Sequence, residues 1–159
     1  MPTPDSILVR SKEQKPFAPV DRAIMLYKKV RSLCLKMPRR YTFFGLQETE
    51  NLAGKVMDHA KMANSIFVNY RNENEDIDVI LDDQKRRIKQ WKKAREHLQA
   101  LFTRIDRFFD APGTLTYHDE KSGKAKGISQ KELNEILDLM IEENNHINKT
   151  IDREKRQLK

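Results

Sequence analysis

Apolar residues recur along this chain at spacings of three and four, in four stretches parted by polar, proline- or glycine-containing breaks. The first stretch covers 19–37 and carries Ile24, Tyr27, Val30 or Arg31, Cys34 and Met37 on its stripe. Pro19 sits in its first turn and Pro38 just beyond its end, where each ring is compatible with a helix boundary. The second covers about 44–70, with Leu46, Leu52, Val56, Ala60, Ala63, Phe67 and Tyr70 in register. Small residues Ala53, Gly54, Ala60 and Ala63 would let a neighbouring helix come close, and Asn64 beside them needs a polar partner or an interface. The third covers 75–109 on Ile77, Leu81, Ile88, Trp91, Leu98, Phe102, Ile105 and Phe109, uninterrupted by Gly or Pro. A helix of that extent would be about 50 Å long. The fourth, over 129–157, opens on the capping box Ser129-Gln130-Lys131-Glu132 and continues on Leu133, Ile136/Leu137, Met140/Ile141, Ile147 and Ile151.

Four amphipathic helices with short connections predict an all-α protein, an up-and-down four-helix bundle forming one domain over 19–159. Residues 1–18, with Pro2, Pro4 and Pro16, read as an extended arm. Residues 112–128 form a non-helical insert before the last helix. Thr114-Leu115-Thr116-Tyr117 is strand-like there and Lys121-Ser122-Gly123-Lys124 turn-like, so a short hairpin and a loop both fit.

With 159 residues the chain can bury a core without staples. The single cysteine, Cys34, allows no internal disulfide and suits a reducing compartment. No run of about 18 apolar residues could span a membrane, and the first residues lack the pattern of a secretory signal. The expectation is a cytoplasmic protein with no membrane contact.

Charge changes the picture once it is divided along the chain. Residues 1–40 hold ten Lys/Arg against three Asp/Glu, and the remainder is balanced, so the whole excess of +7 falls on the first quarter. A second concentration lies in the third helix, where Lys85, Arg86, Arg87, Lys89, Lys92, Lys93 and Arg95 fall within eleven residues. Pairs such as Asp82–Arg86 and Asp83–Arg87 at i,i+4 would neutralise part of it. On a helix, Arg86, Lys89 and Lys93 lie along one side, while Lys85 and Lys92 flank the stripe that carries Trp91. Rigidly presented cations of this kind contact phosphates without reading sequence.

Catalytic chemistry has no visible seat. A di-metal carboxylate bundle needs two Glu-x-x-His motifs, and the chain has one, Glu143-Asn144-Asn145-His146. Cys34 lies on an apolar face with no histidine near it in sequence and reads as packing. No phosphate-cradling glycine loop, nucleophile elbow or zinc-ligand spacing is present. No cofactor is implied.

The break between the first two helices, Lys36-Met37-Pro38-Arg39-Arg40-Tyr41-Thr42-Phe43-Phe44-Gly45, is cationic and aromatic beyond what a turn requires. Followed at helical distance by Ala63-Asn64, it resembles the four-helix-bundle family of the accessory variability protein of diversity-generating retroelements. The related bundle proteins encoded in ribosomal RNA intervening sequences are similar. Pro38, Arg39, Arg40, Tyr41, Thr42, Gly45, Ala63 and Asn64 carry the likeness, which covers about 20–110. Phe44, the proline-containing arm, the 112–128 insert and the charged tail depart from the family's compact pattern.

The resemblance implies a non-catalytic, basic homo-oligomer, a pentamer in the family's type member. It would bind template RNA, or an RNA/DNA hybrid, together with a reverse transcriptase, and assist the error-prone cDNA synthesis of retrohoming. The candidate nucleic-acid-binding residues are Lys28, Lys29, Arg31, Lys36, Arg39, Arg40 and Tyr41 on the first helix and connector. Lys85, Arg86, Lys89, Lys92 and Lys93 on the third helix complete the set. The alternative is a protein–protein adaptor bundle whose charge only keeps it in solution.

Overall fold

The structure, a computed structural model, describes residues 17–37, 45–71, 76–110, 116–118 and 125–157. Its elements in chain order are α1 (Ala18–Lys36), α2 (Leu46–Ser65), α3 (Ile77–Asp110), β1 (Thr116–His118), β2 (Ala125–Gly127) and α4 (Gln130–Arg156). Each helix packs on the next, and α4 returns to α1. The result is an all-α, up-and-down four-helix bundle. The non-helical insert before α4 contains a two-stranded antiparallel ribbon with Tyr117 opposite Lys126. Residues 1–16 of the expected arm and the heart of the connector, 38–44, lie outside the described residues, whereas Phe17 and Ala18, expected in the arm, cap and open α1.

The helix boundaries follow local chemistry. Pro19 occupies the first turn of α1, and Val20 and Asp21 both donate backbone N–H to Phe17 O at 3.0 Å. Met37 takes extended angles, φ −83° and ψ 135°, as the residue before a proline must. α2 starts from Gly45 at φ 74°, a left-handed conformation that suits glycine. Asp76 opens α3 by accepting from the Asp78 amide, and its carbonyl takes the Val79 and Ile80 amides. At α4 the capping box is complete. The Ser129 hydroxyl accepts from the Glu132 amide, and the Glu132 carboxylate accepts from the Ser129 amide.

The core differs from the sequence stripes in informative places. On α1 the buried line is Ala23, Leu26, Val30, Leu33 and Met37. Ile24, Tyr27 and Cys34 flank it on the side of α2, where Tyr27 lies over Gly54 and the Cys34 thiol donates to Leu46 O at 3.3 Å. Ala53, Ala60 and Ala63 are fully buried, whereas Asn64 faces solvent and needs no partner. α2 ends five residues before Tyr70, so Phe67 leaves the stripe and is 77% exposed. Two β-branched residues, Ile66 and Val68, weaken helix there, and the guanidinium of Arg87 takes the released Ile66 carbonyl at 3.1 Å. On α3, Ile77 and Phe102 are likewise exposed, and Ile80, Ala94 and Leu101 supply burial instead. Trp91 anchors the centre with its edge contact to Phe17, ring centroids 6.0 Å apart. Burying a side chain of that size contributes about 2–3 kcal/mol.

Candidate nucleic-acid interface

The twelve candidate cations and aromatics sort into three groups. Arg39, Arg40 and Tyr41 fall outside the described residues. Those of α1 are largely spent inside the molecule. α1 and α4 run side by side, and Arg22 meets Glu142 at 3.2 Å, Lys29 meets Glu135 at 3.0 Å and Lys36 meets Glu132. Lys29, its hydrogen bond first and then its charge, holds the Glu135 carboxyl below the usual carboxylate range. Arg31 turns the other way, toward Glu50 of α2 at 3.7 Å. Lys28 alone of the four α1 candidates is exposed without an ion pair among the described residues. These contacts stitch the bundle seams, and each exposed pair adds little stability.

The third group lies on α3. Arg86 pairs with Asp83 at 3.3 Å, one residue nearer than the i,i+4 spacing suggested. Arg87 does not pair with Asp83, because its position turns it into the bundle, where it meets Glu154 of α4. Lys85, Lys89, Lys92 and Lys93 pair with no acid among the described residues. Their spacing of four, three and one residues sets them on one helical face, over about 12 Å of axis. Lys85, Lys89 and Lys92 are exposed and Lys93 is half-buried at the edge facing α2. Their acidic neighbours on that face, Asp82 and Glu96, stand at its two ends. Trp91 points the opposite way, into the core, and takes no part in this surface.

Sequence reasoning missed one cluster. His59 of α2 and His97 of α3 stack face to face, ring centroids 5.1 Å apart and planes within 10°. His59 Nδ1 lies 2.8 Å from Gln90 Oε1. Burial first, then the charges of His59, Lys55 and Lys93, hold His97 below the ordinary imidazole range, with Glu96 acting the other way. The available signal was a pair of Lys-x-x-x-His spacings, Lys55/His59 and Lys93/His97, visible in the sequence but meaningless until α2 and α3 are placed side by side.

Glu143 opens the Glu-x-x-His motif of α4. It is fully buried in the middle of α4, neither carboxylate oxygen is hydrogen-bonded among the described residues, and burial raises its pKa to about 8. Among the described residues no three His, Cys, Asp or Glu side chains gather as a metal site. None of the described helices is long and apolar enough to cross a membrane.

A second surface is apolar. Phe102 and Ile141, 43% and 49% exposed, rim a shallow groove between α3 and α4 floored by Leu98 and Met140. Comparison with known proteins finds no matching family model, no matching curated protein and no matching solved structure.

Proposed function

We propose that this protein is a non-catalytic RNA-binding accessory of a reverse transcriptase of the diversity-generating kind, acting as a homo-oligomer. The observation that carries the nucleic-acid half is the lysine face of α3. Lys85, Lys89, Lys92 and Lys93 are held on a rigid helix without acidic partners among the described residues, whereas Lys29, Arg31 and Lys36 of α1 are engaged with α4 and α2. Cations left uncompensated on a helix attract phosphates and release counterions on contact. The polymerase half rests on the likeness of residues 37–45 and 63–64 to the accessory variability family.

The test separates the two surfaces. Replacing the four α3 lysines by glutamine should cut affinity for single-stranded RNA and reduce the salt slope by about 3, at ~0.7 per lost phosphate contact. Replacing Lys29 and Lys36 should leave the slope nearly unchanged. Equal RNA affinity in the α3 variant and the parent would reject the reading. Stimulation of cDNA synthesis by a reverse transcriptase encoded beside this gene tests the polymerase half.

The exposed pair Phe102 and Ile141 favours a second reading, an adaptor that binds another protein through the α3–α4 groove. A partner retained after nuclease treatment and lost in the Phe102→Ser variant, with no salt-dependent RNA binding, would select it.

A further inference from the structure

The lysine face of α3 does not end at Lys93. One turn further on, the seam with α2 holds Lys55 and His59 from one helix and Lys93 and His97 from the other. Each helix contributes a lysine and a histidine four residues apart, so each pair shares one face. The two helices are antiparallel neighbours, and the stacked imidazoles fix the pairs against each other.

Arg104 of α3 meets Glu48 of α2 toward one end of this seam, and toward the other end Arg86 pairs with Asp83 within α3. Between them, four nitrogen-bearing groups converge with no ion-pair partner among the described residues. The charged neighbours are Glu96 on α3, next to His97, and Asp58 on α2, next to His59, and both stand exposed. His59 Nδ1 faces the Gln90 side-chain oxygen, an acceptor for an N–H on that nitrogen. Both rings and Lys93 are half-buried, which strengthens any contact with an anion relative to bulk water.

We infer that Lys55, His59, Lys93 and His97 form a phosphate clamp in the α2–α3 seam that takes one backbone phosphate of bound RNA. The inference rests on the RNA-binding reading above and assigns it a site. Lys55 and Lys93 supply fixed charge, and His97 supplies an N–H donor as it protonates. In the free protein burial first, then the stacked partner ring and the lysines, oppose a proton on His97. A phosphate between them offsets the part due to charge, so binding and protonation reinforce each other. Affinity therefore rises as pH falls through the titration of His97.

The experiment follows the imidazole resonances of the full chain by NMR during titration with a single-stranded RNA oligonucleotide and, separately, with inorganic phosphate. RNA should raise the His97 midpoint by about one unit, and RNA affinity should weaken about tenfold as pH rises through the titration of His97. The His59→Gln/His97→Gln variant should bind RNA with little dependence on pH, and Lys55→Gln should lower affinity without unfolding the bundle. RNA that binds while both imidazoles stay unmoved overturns the clamp and leaves the RNA reading standing. Imidazoles that respond to inorganic phosphate in a protein that binds no RNA overturn the RNA reading and make this a site for free phosphate. Silence toward both ligands removes both.

Discussion

Arg87 of α3 grips Glu154 of α4 with one guanidinium nitrogen while another holds the Ile66 carbonyl just past the end of α2. The same carboxylate accepts from the Tyr70 hydroxyl, and Gln84 donates to the Glu154 carbonyl at 2.6 Å. Three helices are thereby tied at one end of the bundle by a half-buried charge pair.

Glu154→Ala should remove the acceptor and leave Arg87 largely desolvated, with its Nε already unpartnered. The expected loss is about 3 kcal/mol, read from urea unfolding. Arg87→Met combined with Glu154→Ala should cost less than the sum of the single changes. Burial, followed by the hydrogen bond to Glu154, raises the Tyr70 pKa. Phenolate absorbance should therefore develop at lower pH in Glu154→Ala than in the parent.

Glu143 makes stability fall with rising pH. Its folded pKa is raised to about 8 from the usual 4.5, so the folded state holds a proton that the unfolded chain gives up. That contribution is complete below pH ~4.5 and is lost as pH rises toward about 8, at up to 1.4 kcal/mol per unit. Glu143→Gln should flatten this window and be more stable than the parent at pH 7 by about 3 kcal/mol. Thermal unfolding at three pH values checks it. Parallel pH curves for the two proteins would refute the assignment.

Gly45→Ala should destabilise the start of α2. At φ 74° an alanine is strained, and its Cβ would run into the Arg104 guanidinium that pairs with Glu48. A cost of about 1–2 kcal/mol follows from the left-handed backbone alone. Gly54→Ala is the control, since its added methyl would meet only Tyr27 at an ordinary 3.6 Å. Chemical denaturation should separate the two variants clearly.

Cys34 should be unreactive while the bundle is folded. Burial, with a smaller effect of Glu50, pushes its thiol up to about 12, and it donates to Leu46 O. A disulfide reagent at about pH 8 should label it only at the rate of unfolding, because the thiolate is the reacting species.

The bundle was legible in the sequence because amphipathic period and boundary chemistry agree at Pro19, Pro38 and Ser129–Glu132. The α1 stripe was displaced by one residue because Ala23 and Leu26 bury as readily as Ile24 and Tyr27, and only the position of α2 decides between them. The end of α2 escaped notice because the apolar sequence Ile66-Phe67-Val68 continues the helical pattern although the backbone does not. Which lysines remain unpaired could not be read at all. Lys29 and Lys36 find acids about a hundred residues away, and no local spacing announces Glu135 or Glu132. The paired imidazoles were invisible for the same reason.

An even number of alternating helices sends Phe17 and Arg156 to one pole of the bundle and Met37 and Gly45 to the other. Some 19 residues of α1 separate those poles, about 28 Å at helical rise. A ligand touching both Arg156 at one pole and Lys131 at the other must be at least as long as the helix. Oligonucleotides shorter than that span can satisfy one pole or the other, never both. Affinity measured against ligand length would then climb in two steps, with the second step reporting when a single strand first reaches from end to end.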